Sequence, residues 1–344
     1  MRARRRHWPM AIAGLLLLLW LVAGNSVVHR LGMALMRLDS LPPDLMVDGH
    51  LYYTQGFDGL WRHDLRTGVS EQWWMPTDGS LVSDVAVSPD GSQLAVAWAP
   101  PAEAGFQTGS TDLWLMALPI SEPKPLVLRS DVLESWRDPW WSDEGGWLLV
   151  THQRVRRDPG GDLLAVRLDV ERLALDGTSH LLLENAEQAA LSSDGKRLVY
   201  LRPDPESGSQ GLMLAQSDGS PAHELVSSTT FRALASPRFT PDDQAIVFSA
   251  SGDRQDRIQR DGPAAGAVMA HGAPWNIWHL DIATRVLSRV TTSALDGPAL
   301  TWSLDRSDLL AVLAAEGLFL RSPDNMWRLA AVTTEGKLAW APAP

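Results

Sequence analysis

Residues 84–98 read Asp-Val-Ala-Val-Ser-Pro-Asp-Gly-Ser-Gln-Leu-Ala-Val-Ala-Trp, so that two apolar runs flank a Ser-Pro-Asp-Gly turn. Proline at the second turn position presets φ, aspartate can hydrogen-bond the turn backbone, and glycine takes the left-handed conformation that strains other residues. Short runs rich in Val, Ala and Leu are typical of β-strands. The segment therefore predicts a β-hairpin.

The same pattern recurs along the chain at a regular spacing. Its Ser or Thr stands at positions 88, 142, 192, 240 and 303, so successive copies are 54, 50, 48 and 63 residues apart. Repeats of about 40–50 residues are typical of four-stranded β-propeller blades, and longer steps indicate inserted loops. Related third and fourth strands follow the hairpins, as in residues 112–116 and 125–128.

A bulky apolar residue precedes each Ser or Thr of the repeat. These residues are Val87, Trp141, Leu191, Phe239 and Trp302. Regular apolar spacing usually marks a core, so we expect them to pack as wedges between neighbouring blades. The alternative interpretation is an aromatic binding surface.

The two ends of the repeat region complement each other. Residues 47–54 match the second half of the unit but have no first strand before them. Residues 338–342 match the first half, with Trp340 at the wedge position. We therefore expect the C-terminal strand to complete the first blade and close the ring without an exposed edge.

These observations predict an all-β fold, a six-bladed β-propeller of four-stranded blades over residues 45–344. The blades are expected at about 45–75 plus 337–342, 81–130, 134–185, 186–229, 231–293 and 297–334.

The N-terminus has the pattern of a membrane anchor. Residues 1–7 contain four arginines, and residues 8–28 are uncharged, which is about 31 Å of helix and enough to span a bilayer. We predict a cytoplasmic basic tail at 1–7, one transmembrane anchor at 8–30, a linker at 31–44 and a propeller outside the cytoplasmic membrane. A cleaved signal peptide ending near Gly24 is the alternative, and it also exports the domain.

Composition excludes several functional classes. The 344 residues contain no cysteine, which excludes a disulfide scaffold, a zinc ribbon and a cysteine hydrolase. The net charge of −11 argues against nucleic-acid binding. The sequence has no Gly-x-Ser-x-Gly elbow, zincin motif, calcium loop or phosphate loop, so we assign no catalytic residue, metal or cofactor.

The turn at 88–91, followed by Gln93-Leu-Ala-Val-Ala97 and Asp112-Leu-Trp-Leu115, resembles the repeat of TolB-type β-propellers and the propeller of prolyl-oligopeptidase relatives. The resemblance covers about 297 residues, 46–342, and is specific for fold but not for function. It departs from the pattern at Arg306, which replaces the turn glycine. TolB-type resemblance implies an extracytoplasmic platform for protein contacts, whereas the peptidase half of the oligopeptidases has no counterpart here.

One residue per blade, three before the wedge, is expected near the start of each inner strand. These residues are Lys337, Asp84, Asp138, Gln188, Ser236 and Ala299. Their register predicts a ring at one mouth of the central channel, where Asp84, Asp138, Gln188 and Lys337 are candidate binding residues. Two carboxylates on adjacent blades can hold a cation or act as an acid/base pair. The alternative is that they are solvated or cap the strand starts.

Two longer connections carry arginines toward the same rim. Arg154, Arg156 and Arg157 belong to an expected extended hairpin in the third blade, and Arg254, Arg257 and Arg260 belong to a long loop in the fifth. Long loops on rigid scaffolds often carry binding sites. The alternative is a solvated insertion, in which neighbouring aspartates cancel the charge.

Anchor, ring and missing catalytic motifs together favour a non-catalytic, membrane-anchored platform for a protein or an envelope ligand outside the membrane. The alternative is a propeller enzyme, namely a lyase, lactonase or glycan hydrolase, that works through Asp84 and Asp138. A structural module of a larger envelope complex is a third possibility.

Overall fold

The structure is a computed structural model that describes residues 38–39, 41–42, 45, 47–101, 110–119, 121–252, 275–291, 295–303, 308–332 and 336–342. The chain divides into two compact units, Met1–Asp39 and Ser40–Pro344, and every strand among the described residues belongs to the second unit. No helix within the described ranges has the length and apolarity needed to cross a membrane. The anchor predicted at 8–30 lies outside the described residues.

The described residues of the second unit form six antiparallel sheets of four strands, confirming the predicted six-bladed propeller. Listed from the channel outward, blade 1 contains β24 (Leu338–Ala341), β1 (His50–Thr54), β2 (Leu60–Asp64) and β3 (Ser70–Trp74). Blade 2 contains β4 (Leu81–Val87), β5 (Gln93–Ala99), β6 (Asp112–Ala117) and β7 (Lys124–Val127). Blade 3 contains β8 (Ser135–Trp141), β9 (Trp147–Arg157), β10 (Leu163–Ala174) and β11 (Ser179–Leu183).

The other three blades follow the same order. Blade 4 contains β12 (Glu187–Leu191), β13 (Arg197–Pro203), β14 (Gln210–Gln216) and β15 (Ala222–Val226). Blade 5 contains β16 (Ala233–Phe239), β17 (Ala245–Ser251), β18 (Trp275–Asp281) and β19 (Leu287–Arg289). Blade 6 contains β20 (Ala299–Trp302), β21 (Leu310–Ala314), β22 (Gly317–Arg321) and β23 (Met326–Ala330).

The repeated turn is held by the hydroxyl residue that begins it. The Ser88 hydroxyl donates to Asp90 Oδ1 at 2.6 Å and accepts from the Gln93 backbone N–H at 2.9 Å. Gly91 has a φ of 70°, and a Cβ there would lie 2.9 Å from Cγ of Pro342. Glycine is therefore required twice, for the left-handed turn and for the close approach of the chain that follows β24.

The predicted wedges lie between neighbouring blades. Each of the six apolar clusters within the described residues combines side chains from two adjacent blades. In order around the ring from the interface of blades 1 and 2, the wedges are Val87, Trp141, Leu191, Phe239, Trp302 and Trp340. The last residues of the repeat's first strand therefore pack between blades as predicted: Trp141, Leu191, Phe239 and Trp340 are buried, and Val87 and Trp302 are half-buried against their clusters.

The C-terminal strand closes the ring as expected. β24 pairs antiparallel with β1, with Trp340 opposite Leu51 and Leu338 opposite Tyr53. Trp340 is 4% exposed and packs in one cluster with side chains of blades 1 and 6. The first and last segments of the domain therefore share one sheet.

We predict that Trp340→Ala lowers the free energy of unfolding by about 3–5 kcal/mol, because it leaves a cavity at the junction that closes the ring. Urea unfolding of the full chain measures this loss. Met75→Ala, at a side chain that is 48% exposed, is the control and should change stability by less than about 0.5 kcal/mol. Equal effects of the two substitutions would contradict the closing role of Trp340.

His63 makes the domain sensitive to mild acid. Its Nδ1 lies 2.8 Å from the Ser70 hydroxyl, and burial lowers its pKa to about 4, although the charge on Asp64 opposes this shift. The unfolded chain binds this proton at a pKa of about 6.5, so the stabilisation is complete above that pH and is lost as the pH falls toward 4.

We therefore expect wild-type stability to fall by about 3 kcal/mol through this group between pH 6.5 and 4. His63→Gln, which keeps a polar partner for Ser70 but does not titrate, should show a smaller loss. Urea unfolding at several pH values between 5 and 7 gives the slope of the unfolding free energy against pH for each protein. This pH range lies above that in which most carboxylates titrate. Parallel slopes would exclude His63 as the cause.

Candidate functional site

The six ring positions predicted from the repeat line a single cavity. This cavity, called the funnel below, has a volume of about 410 Å³ and lies at one end of the channel. Arg137, Glu187 and Trp275 also line it. The structure thus brings Asp84, Asp138, Gln188 and Lys337 together, as the register predicted.

Bulges in the inner strands shape the ring. The register of β8, β12 and β16 against the next strand shifts across Asp138, Gln188 and Ser236, respectively. These three residues have φ values of 51°, 52° and 54°, in the left-handed region. Non-glycine residues held there cost about 1–3 kcal/mol each and are concentrated at functional sites.

Hydrogen bonds between blades hold these bulges in place. The Asp138 N–H donates to Asp84 Oδ1 at 3.3 Å, and the Gln188 N–H donates to the Thr151 hydroxyl at 2.9 Å. The Ser236 N–H donates to Gln188 Oε1 at 2.7 Å. Each acceptor belongs to the preceding blade, so each of these blades holds the ring residue of the next blade in place.

Oppositely charged side chains converge in the funnel. Lys337 Nζ lies 3.0 Å from Asp138 Oδ1. The Arg137 guanidinium lies 3.5 Å from Glu187 and 3.9 Å from Asp138. No group of three or more acidic or histidine side chains in the described segments is arranged to hold a metal ion. The contacts of the two ring aspartates are instead with basic, hydroxyl and backbone groups.

Asp84 and Asp138 differ in proton affinity. Burial raises the pKa of Asp84, and the neighbouring charge of Asp138 raises it further against the opposing effects of Lys337, Ser83 and Arg137. Burial also acts to raise the pKa of Asp138, but the charges of Lys337 and Arg137 and its hydrogen bonds outweigh it and lower that pKa. Of the two ring aspartates, Asp84 therefore has the higher proton affinity and Asp138 the lower.

A narrow throat lies next to the ring, and sequence reasoning did not predict its lining. The throat has a volume of about 20 Å³ and contains Trp140 and Arg238, each two residues after a ring position. The Arg238 guanidinium stands 4.6 Å over the Trp140 ring. The equivalent residues of the other blades are small: Ala86, Ala190, Thr301 and Ala339. That size contrast is the sequence signal for the throat.

The extended hairpin predicted in blade 3 is present, and its projecting part, residues 154–166, is called the arm. Ser135, which begins β8 at the funnel, pairs with Gln153, so the later residues of β9 continue beyond the funnel end of the sheet. Arg154 lies 3.7 Å from both Asp169 and Glu171, Arg157 pairs with Asp131, and Arg156 is exposed. Arg254, Arg257 and Arg260 lie outside the described residues.

Solved structures identify the scaffold. TolB from Acinetobacter baumannii superposes with a TM-score of 0.59 at 15% identity, over 86% of this chain and 67% of that one. The chain has the fold of the TolB β-propeller. A chain of the nidogen/laminin complex gives a TM-score of 0.57 at 11% identity, over 85% of this chain and 98% of that one. A puromycin-hydrolysing peptidase of Mycobacterium tuberculosis gives 0.51 at 14% identity, over 85% and 48%, respectively.

No protein-family model matches the sequence, and no match to a curated protein was found. At these identities the TolB-like scaffold establishes the fold alone.

We predict that Asp84→Asn and Asp138→Asn have different effects on stability at pH 7. Asp138→Asn leaves Lys337 without its carboxylate and should cost about 3 kcal/mol. Asp84→Asn replaces a carboxyl whose ionised form burial disfavours, and it keeps an oxygen that can accept from the Asp138 N–H, so we expect a loss below about 1 kcal/mol. Urea unfolding compares the two variants, and equal losses would contradict the opposite pKa shifts of the two aspartates.

Proposed function

We propose that this protein is a non-catalytic binding platform whose partner or ligand docks on the funnel face of the propeller. The observation that carries the proposal is that one residue from every blade lines the funnel. A rigid concave site with a few convergent polar groups is the usual form of a ligand site. The left-handed ring residues support this, since such strain is retained mostly where geometry serves a function.

The arm supports a protein or envelope partner larger than a small molecule. It extends past the funnel end of blade 3 and exposes Leu163, Leu164 and Val166, which are 44–54% accessible. Exposed apolar side chains beside arginines are common at protein interfaces. The TolB fold and the similar chain from the nidogen/laminin complex are in keeping with a role in protein contact.

The proposal includes the location predicted from the sequence. Residues 8–28 would anchor the chain in the cytoplasmic membrane, with the N-terminus inside and the funnel face available to partners outside. The basis is the uncharged run that follows four arginines.

A propeller enzyme is the second candidate, favoured by the opposite pKa shifts of Asp84 and Asp138. Two carboxyl groups with separated pKa values are the arrangement that acid/base catalysis needs. The Lys337 ion pair weighs against it, because it occupies an oxygen of the carboxylate that would act as the base.

Site-specific photocrosslinking in intact membranes tests the binding function. A benzophenone residue is introduced at Ser236, in the funnel, or at Lys196, an exposed turn residue two before Leu198, which pairs with the wedge Leu191. Turns that follow the wedges lie at the end opposite the ring. We expect one discrete adduct from Ser236 and none of that mass from Lys196.

Two outcomes would contradict the proposal. Equal labelling from the two positions would remove the funnel face as the docking surface. Turnover of a substrate by the purified chain, abolished by Asp84→Asn and by Asp138→Asn in folded protein, would establish the enzyme instead.

A further inference from the structure

Arg238 is a cation in the throat without an acidic partner. No carboxylate within the described residues lies at ion-pair distance from it, whereas Lys337 and Arg137 each contact one. Its Nη1 donates to the Pro237 carbonyl at 2.8 Å, and its buried Nε has no hydrogen-bond partner in the same set of residues. Burial lowers its pKa to about 10, with Asp138 partly opposing the shift, so it remains charged at neutral pH.

The Arg238 guanidinium lies over the face of the Trp140 ring. At 4.6 Å the cation lies within range of the ring's π-electrons. The N–H groups of a guanidinium lie in its own plane, where two of them match the two oxygens of a carboxylate. A partly buried charge without an ion-pair partner is costly, which makes a ligand anion the natural partner.

The sizes of the two cavities restrict the shape of the ligand. About 20 Å³ in the throat admits a group little larger than a water molecule. The funnel shares Asp84, Asp138, Gln188, Ala299 and Lys337 with the throat and offers about 410 Å³. A small anionic end on a larger body fits this pair of cavities.

The funnel wall suggests the chemistry of that body. Asp84 and Glu187 offer acceptors for N–H groups, Arg137 and Lys337 offer donors for carbonyl oxygens, and Trp275 offers an apolar face. A polypeptide backbone presents both kinds of group in alternation, together with side chains.

We infer that Arg238 is the anchor for the C-terminal carboxylate of a peptide segment that enters the funnel. This inference rests on the proposed binding function and names the part of the partner that occupies the funnel. The carboxylate forms a two-pronged pair with the guanidinium over Trp140, and the preceding residues lie against the funnel wall.

Peptide retention tests the inference without knowledge of the natural partner. Immobilised full-length protein is incubated with a random hexapeptide library bearing free C-terminal carboxylates, and separately with the same library amidated. We expect about tenfold or greater retention of the acid library, because the amide leaves the partly buried Arg238 guanidinium without an anionic partner. Equal retention, or no retention of either library, would overturn the inference.

Variants at Arg238 locate the effect. Arg238→Gln should abolish the preference for the acid library, and Arg238→Lys, which keeps the charge but lacks the planar fork, should weaken it. Arg66→Gln, at an exposed turn residue, is the matched control and should retain the full preference. If a variant fails to fold, the comparison of acid and amide on wild-type protein still decides the question.

Acetate distinguishes a peptide terminus from a free small carboxylate. If acetate displaces the acid library at the peptide's own concentration, a small acid is the ligand and the peptide assignment is wrong. If acetate competes only at higher concentrations, the peptide assignment is supported.

The outcome of this test can be distinguished from the outcome for the proposed function. A crosslink from Ser236 without an acid preference removes only the carboxylate anchor, whereas loss of the crosslink removes the binding platform itself.

Discussion

The antiparallel pairing of β24 with β1 holds the ring closed, and the other features of the domain depend on it. Without that pairing, blades 1 and 6 would expose the apolar faces that meet around Trp340. A disulfide cannot hold the ring closed, because the chain contains no cysteine. Closure instead combines strand hydrogen bonds with burial of a large aromatic side chain, and both contributions are lost together when the ring opens.

Closure also assembles the funnel. Lys337 immediately precedes the closing strand, and its ammonium reaches Asp138, 199 residues away in sequence. Its backbone N–H donates to the Thr54 hydroxyl in the same blade at 3.0 Å. The residue that balances the charge of the ring is thus delivered by the segment that completes the fold, so ring closure and site formation are coupled.

The character of the site comes from departures from regular strand geometry. A regular inner strand would alternate its side chains evenly along the channel. The bulges at Asp138, Gln188 and Ser236 change that alternation. At each bulge the backbone N–H donates a hydrogen bond to a side-chain oxygen of the preceding blade. The same scaffold occurs in proteins as different as TolB and a peptidase, so the fold does not specify a function, and the groups at these bulges give this funnel its particular chemistry.

Local sequence was sufficient for the architecture. The turn at 88–91 and the wedges at Val87 and Trp141 recur because each blade repeats the same local problem, and the match of residues 338–342 to a missing first strand follows from that repeat. Counting back from the wedge was also enough to find Asp84 and Lys337 at the channel mouth. The tertiary structure was needed to show that Trp140 and Arg238 meet in one throat, and to show the opposite pKa shifts of the two ring aspartates. These depend on distances across the channel between different blades and on burial after closure, and neither is encoded in the spacing of residues along one strand.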